Sequence, residues 1–284
     1  MGFVALGYSA AHDSHKLMTK RTRTKKIRNR FAIPPERRVA SIRVDRDKKL
    51  IVVTTKDMIK NQLNRDGPKI RRSFDIVARS HIAACGEIFG EAVGLIIRHL
   101  PRLDDYGYKA TASRLLSTGA NTYLASIEVA RHGYRRQYGI LARSLIETIA
   151  TVIAITIQPK ALEEFHAGKL RSTKCIGWAK GVIEPLGMYY GMLSDQFVHT
   201  GPAHASFEPL APYTSDDEAL KFIASSMRGD AWMLYLAAEL VFHDEVESPR
   251  YWKSVGDGVA AYNPSQDERQ WMNEFLILPS EVGS

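Results

Sequence analysis

The sequence predicts a mainly α-helical protein, an antiparallel bundle of about five or six main helices that follows a basic N-terminal arm and a small β-hairpin. Three observations support this fold class. From residue 69 onward, apolar residues recur at helical spacing, with glycine and proline between the segments. Two short runs of β-branched residues lie upstream of that region. The chain of 284 residues is 45% apolar and 25% charged, which is typical of globular proteins.

The N-terminal part is predicted to contain an arm and a hairpin. Residues 1–38 are assigned to a disordered basic arm, because residues 19–30 contain only one apolar side chain and cannot bury themselves. Residues 39–44 and 50–55 are rich in β-branched side chains and flank a polar turn, which favours a β-hairpin. We therefore expect residues 39–68 to form a hairpin appendage.

The helical region is predicted to form a bundle over residues 69–248, and the C-terminal extension 249–284 is expected to contain one short helix. Gly133 separates two of the apolar segments, and Pro185 suits the first turn of another helix. Acidic residues at 216–218 suit the N-terminal dipole of a late helix. The expected helices are residues 69–100, 106–131, 134–157, 159–168, 171–183, 185–200, 219–246 and 265–277.

Charge is concentrated in the N-terminal part. Residues 16–72 contain 20 Lys and Arg against 5 Asp and Glu, whereas the rest of the chain is mildly acidic. This asymmetry favours contact with a polyanion such as RNA, and the alternatives are a solvated tail or contact with a protein or membrane surface. The residues expected to contact RNA are Lys20, Arg21, Arg23, Lys25, Lys26, Arg28 and Arg30.

Several classes of protein are disfavoured by the composition and motifs. Cys85 and Cys175 cannot build a disulfide framework, and no apolar run reaches the length of a membrane span, so we expect a cytoplasmic protein without a membrane partner. The sequence has no Walker loop, Gly-x-Gly-x-x-Gly, Gly-x-Ser-x-Gly or His-Glu-x-x-His motif. No cofactor is therefore expected.

Arg143 and Glu147 form the first candidate constellation. Glu147 is the only charged residue in the segment 144–157, and the two residues are four apart, on one face of a predicted helix. Small residues, Ala150 and Ala154, continue that face. Two interpretations remain open, a structural ion pair inside the bundle or part of a functional site.

The second constellation contains Tyr190, Ser194, Asp195, His199 and His204. Asp195 and His199 are four apart on one predicted helix face, and Tyr190 and Ser194 lie on an adjacent strip. Three interpretations are open. Asp195 could orient His199 as a general acid or base, Asp195, His199 and His204 could bind a metal, or the acid and histidine could cap the helix end.

Glu239 and His243 are also four residues apart and could complete a site with Asp195 and His199. Three further acidic residues follow closely, at 244, 245 and 247. We therefore interpret Glu239 and His243 as part of a solvated helix end.

The two constellations resemble an uncharacterised bacterial family of helical domains, the domain of unknown function 5677. The resemblance rests on Arg-Ser-x-x-Glu in an apolar helix, followed by Tyr-x-x-Leu-Ser and a histidine shifted by one position. It covers roughly residues 75–245. The matching residues are Arg143, Ser144, Glu147, Tyr190, Leu193, Ser194 and His199.

The family is distantly similar to HEPN domains, which are helical bundles of toxins and antiphage systems. The resemblance implies an RNA-binding or RNA-cleaving homodimer that needs no metal, and it also allows a non-enzymatic protein-interaction module. HEPN nucleases have a compact motif in which only a few residues separate Arg from His. Here the two residues would have to meet across helices. The candidate catalytic residues are Arg143, Glu147, Ser194, Asp195 and His199.

Overall fold

A computed structural model of the chain describes residues 39–46, 49–99, 107–205, 210–256 and 258–276. It is mainly helical with a small antiparallel hairpin, which confirms the predicted fold class. The basic residues of the arm that are expected to contact RNA lie outside the described residues. Contacts divide the chain into two compact units, Met1–Asp57 and Met58–Ser284.

The first unit contains the predicted hairpin. Strand β1 (Val39–Asp45) pairs antiparallel with β2 (Leu50–Thr55), and the register shifts between Val39 and Ser41. Ile42 lies opposite Val53 in this register, so these two apolar side chains share one face of the ribbon.

The second unit begins with short helical segments. Helix α1 (Met58–Asn61) leads through a π-turn (Gln62–Asp66) into α2 (Gly67–Val77), and α3 (Arg79–His99) follows. The expected single helix over 69–100 is therefore wrong, because the backbone at Ala78 leaves helical geometry, with ψ near 1°. Neither glycine nor proline marks this break. The break separates the buried face of α2, which contains Ile70 and Phe74, from the buried face of α3.

Two long helices form the centre of the second unit. Helices α4 (Tyr108–Arg131) and α5 (Arg135–Ile157) are joined by Gly133, whose φ of +86° favours glycine. This hairpin of helices matches the predicted boundary at Gly133. Gly119 lies where α4 approaches α5, and a Cβ there would lie 3.2 Å from the Leu145 side chain.

Three shorter helices cover one side of α5. They are α6 (Ala161–His166), α7 (Ser172–Ala179) and α8 (Glu184–Leu193), which has Pro185 in its first turn. A second π-turn (Ser194–Val198) and a 3₁₀ turn (Pro202–Ala205) extend beyond α8. The helix predicted over 185–200 is therefore α-helical only as far as Leu193, and its last part is the π-turn.

Helix α9 (Glu218–Val241) is the most buried helix and packs on α3, α4 and α5. It begins at Asp217, whose carboxylate accepts a hydrogen bond of 3.0 Å from the Ala219 amide. The sequence did not predict the hairpin of β3 (Trp252–Gly256) and β4 (Val259–Tyr262) that follows. Helix α10 (Gln266–Leu276) ends the described chain, as predicted.

Among the described helices, α3 and α5 are long and apolar enough to cross a membrane by length and composition alone. Their most apolar windows have mean hydropathies of 1.4 and 1.8. The core helices of soluble proteins pass the same test, and α5 packs against five other helices of this unit, α4, α6, α7, α8 and α9.

Candidate functional site

Arg143 and Glu147 lie one turn apart on α5 and form an ion pair of 3.2 Å between Nη2 and Oε1. Their side chains are 22% and 27% exposed, so the pair lies at the edge of the bundle rather than in its interior. Desolvation of these charges is therefore incomplete, and their outer faces can meet a ligand or water.

Helix α8 and the turn after it provide two further members of this group. The Arg143 guanidinium donates from Nε to the Ser194 hydroxyl at 2.9 Å and from Nη2 to the Tyr190 hydroxyl at 2.7 Å. The Tyr190 hydroxyl donates to Glu147 at 3.1 Å, and the Ser194 hydroxyl donates to the Tyr190 carbonyl at 2.8 Å. We call these four residues the Arg143 cluster.

The Arg143 cluster holds the guanidinium in one orientation. Two of its nitrogens have acceptors, and its carbon lies 4.9 Å from the centre of the Tyr190 ring. Nη1 forms no hydrogen bond with a described residue. A guanidinium that is fixed in this way and partly exposed is suited to bind an oxyanion.

The second π-turn decides where His199 lies. The His199 amide donates to the Ser194 carbonyl at 2.9 Å, a bond that spans five residues, and the His199 backbone then becomes extended. Asp195 and His199 are therefore not one α-helical turn apart. Both side chains are exposed, and neither forms a hydrogen bond with a described residue. Among the described residues there is thus no hydrogen bond between the side chains of Asp195 and His199, which were candidates for an acid–base pair, and neither side chain caps the helix.

Ser194 connects the two residues whose proximity the sequence left open. Its hydroxyl binds the Arg143 side chain, and its carbonyl binds the His199 amide. Arg143 comes from α5 and His199 follows the π-turn, so their shared partner depends on the packing of α8 against α5. His199 makes this contact through its backbone and not through its side chain.

Phe197 anchors the same π-turn. Its ring stacks on Phe222 of α9 with centroids 5.1 Å apart, and it lies directly against Gly139 of α5. Because a Cβ at Gly139 would overlap the Phe197 ring, glycine at this position allows the π-turn to approach α5.

We expect Gly139→Ala to lower the free energy of unfolding by about 1–3 kcal/mol, since the added methyl group displaces Phe197. The matched control is Gly86→Ala on α3, where a Cβ meets nothing within 4 Å. The control is expected to stabilise the helix by up to about 1 kcal/mol. Urea unfolding measures both variants, and equal stability of the two would contradict the proposed contact.

His204 has a structural role. Its Nδ1 accepts a hydrogen bond of 3.2 Å from the Gly201 amide, so Nε2 carries the proton and donates to the Phe197 carbonyl at 3.3 Å. Both ring nitrogens are thus engaged within the loop. The described residues contain no group of three or more histidines, cysteines or carboxylates that could hold a metal, so Asp195, His199 and His204 do not assemble as the alternative metal site.

Glu239 and His243 are buried, so their interpretation as a solvated helix end is wrong. Glu239 is fully buried, and its carboxylate accepts three backbone amides, those of Arg250 at 3.1 Å and of Tyr251 and Trp252 at 2.7 Å each. It fixes the start of β3 onto α9. Its side-chain partners do not include the residues of the Arg143 cluster.

Asp230 is a titratable residue that the sequence analysis did not single out. It is fully buried on α9, and one carboxyl oxygen accepts a hydrogen bond of 3.2 Å from the Tyr138 hydroxyl. The other oxygen, Oδ1, has no hydrogen-bond partner. Burial raises the pKa of Asp230 to about 8, so its neutral form predominates at neutral pH. The sequence did contain a signal for this buried acid, since Asp230 is a single acidic residue between the apolar segments of the late helix.

Comparisons with known proteins find no matching family model, no matching curated sequence and no matching solved structure.

Proposed function

We propose that the protein binds RNA and cleaves it without a metal ion, with Arg143 and His199 as its catalytic residues. One observation carries the proposal. Arg143 and His199 come from different helical segments, and both are hydrogen-bonded to Ser194, Arg143 through its guanidinium and His199 through its backbone amide. The guanidinium is oriented by its partners, and the His199 side chain is exposed. A phosphodiester needs these two groups for charge stabilisation and for proton transfer.

In the proposed reaction, His199 takes the proton of a ribose 2′-hydroxyl as that oxygen attacks the adjacent phosphorus. The bond from phosphorus to the 5′-oxygen breaks, and water protonates the leaving oxygen. Arg143 stabilises the negative charge that develops on the phosphoryl oxygens. Glu147, Tyr190 and Ser194 are positioning residues that fix the guanidinium.

Charge in the N-terminal part supports RNA as the substrate class. Residues 16–72 contain 20 Lys and Arg against 5 Asp and Glu, and this excess of positive charge favours binding to phosphates. In this proposal the basic arm increases the affinity, and the Arg143 cluster contacts the reacting phosphate. Binding is therefore expected to weaken steeply as the salt concentration rises.

The resemblance to domain of unknown function 5677 supports the same proposal. Counted from the serine of the family pattern, the histidine lies one position further along in this sequence, at His199. The π-turn accommodates the additional residue, because His199 closes a turn of five residues onto Ser194. The resemblance also implies a cellular setting, a bacterial defence or toxin system, and the proposal includes it. It implies a homodimer as well, which the proposal includes too.

The test is incubation of total RNA with full-length wild type, Arg143→Gln, His199→Ala and the control His132→Ala, with chelator present, followed by a denaturing gel. Wild type and His132→Ala are expected to cleave equally and to leave 5′-hydroxyl ends. His199→Ala and Arg143→Gln are each expected to lose about a hundredfold or more of the rate. His199 is exposed, so its variant should melt at the wild-type temperature. Cleavage by His199→Ala at the wild-type rate would exclude its assignment.

A second candidate is a binding module without catalysis. Two observations favour it: no described residue orients the exposed His199 side chain, and the hydrogen bonds of the Arg143 cluster are mostly internal. In that case the wild type binds RNA in a salt-dependent manner but does not cleave it. The same incubation, combined with a filter-binding titration at two salt concentrations, separates the two functions.

A further inference from the structure

A cavity of 520 Å³ lies between α8, α9 and α10, and its lining is apolar. Tyr189 and Met192 of α8, Phe222, Gly229 and Trp232 of α9, and Met272 of α10 form much of its wall. None of the described residues that line it is charged. The cavity is distinct from the Arg143 cluster, although Tyr189 and Tyr190 are consecutive, so that α8 borders both.

We propose that this cavity is a binding site for an uncharged, mainly apolar small molecule. Its volume lies within the range of roughly 300–1,000 Å³ that is usual for small-molecule sites. Three helices border it, and it is partly open to solvent, since Met188 in its lining is 79% exposed, so a compact ligand can enter it. A charged ligand would lose its hydration without gaining an ionic partner, which excludes charged molecules as the natural class.

Gly229 keeps the cavity open. A Cβ built at this position in the middle of α9 meets no heavy atom within 4 Å, whereas glycine in a helix interior costs about 1 kcal/mol relative to alanine. A side chain at position 229 would extend into the cavity. Glycine at position 229 therefore lowers the stability of α9, but because it has no side chain it leaves the cavity unfilled.

One polar side chain of the lining is accessible at the mouth of the cavity. Ser225 is exposed, and its hydroxyl can exchange a hydrogen bond with a polar atom of a ligand. The ligand class is thus a mainly apolar body that carries a carbonyl, ether or hydroxyl group.

The test uses N-phenyl-1-naphthylamine, a neutral probe that fluoresces in apolar sites, with the full-length protein. Wild type is expected to bind it saturably, with one site per chain. Gly229→Leu fills the cavity and is expected to weaken binding at least tenfold, while its melting temperature stays the same or rises. The matched control is Gly90→Leu on α3, an exposed glycine with equally open space, and it is expected to bind as wild type does.

Ser225→Leu is a second blocking variant, should leucine at 229 prevent folding. Ser225 is exposed on α9, one turn before Gly229, and lines the cavity mouth. It is also expected to weaken binding at least tenfold. Binding that is unchanged in both blocking variants, or no saturable binding by wild type, would overturn the proposal. Probe binding that dissociates a dimer in light scattering would overturn it too, by assigning the cavity to a second copy of the chain.

Discussion

Replacement of Glu239 by alanine is expected to destabilise the protein by about 3 kcal/mol or more. The substitution removes the carboxylate that accepts hydrogen bonds from three backbone amides, those of Arg250, Tyr251 and Trp252. Each unsatisfied buried amide costs about 1–3 kcal/mol, and β3 would lose its anchor on α9. Urea unfolding followed by circular dichroism measures the loss.

Two further variants make this test specific. Glu239→Gln retains one acceptor oxygen but turns an amide nitrogen toward the same donors, so an intermediate loss is expected. Glu87→Ala, at an exposed position of α3, is the matched control and should change the stability by less than about 0.5 kcal/mol. A loss in Glu239→Ala no larger than that of the control would show that the three amides do not depend on this carboxylate.

Asp230→Asn is expected to stabilise the protein increasingly as the pH rises from 4 to 9. The folded-state pKa of Asp230 is raised to about 8, against an ordinary value of 3.8. The folded state therefore binds this proton more tightly than the unfolded state, and its contribution to stability is complete below pH 4 and lost as the pH rises through 8. Each pKa unit corresponds to about 1.4 kcal/mol, so the difference between wild type and variant reaches several kcal/mol at alkaline pH.

Urea unfolding of wild type and Asp230→Asn at pH 5, 7 and 9 tests this expectation. The amide of asparagine keeps the size of the side chain and an acceptor for the Tyr138 hydroxyl but removes the charge. Asp195→Asn is the control, since its side chain is exposed and makes no hydrogen bond with a described residue. A stability difference for Asp230→Asn that is constant across the three pH values would show that Asp230 does not titrate in this range.

The boundaries that could be predicted are those with a local physical cause. Gly133 adopts a positive φ between α4 and α5, and Pro185 occupies the first turn of α8. Asp217 caps α9, close to its predicted start. Each of these residues prefers its conformation through its own covalent structure or a hydrogen bond to a near neighbour, so the preference is visible in the chain before it folds.

The elements that escaped prediction lack such a cause. The break at Ala78 lies between two apolar helical segments without glycine or proline. The hairpin of β3 and β4 has only one buried residue in its first strand, Trp252, and depends on the Glu239 carboxylate of a distant helix. Both features follow from contacts between elements, which a periodic pattern does not contain.

The candidate site divides in the same way. The Arg143–Glu147 pair and the hydrogen bond from the Ser194 hydroxyl to the Tyr190 carbonyl follow from spacing along one helix, and the structure contains both. The same spacing argument fails for Asp195 and His199, because the helix widens into a π-turn before His199. The contact of Phe197 with Gly139 and Phe222 is the tertiary feature that accompanies this turn.

The sequence by itself determined the helical class, the charge asymmetry and the pairs of residues that share a helix face, because these depend on composition and on a fixed helical period. Only the tertiary structure decided that Ser194 bonds to the Arg143 side chain and to the His199 backbone, that Glu239 and Asp230 are buried, and that Gly229 lines a cavity. Burial and contact between distant helices arise from three-dimensional packing, so the same carboxylate can be solvated, anchored or neutral according to what surrounds it.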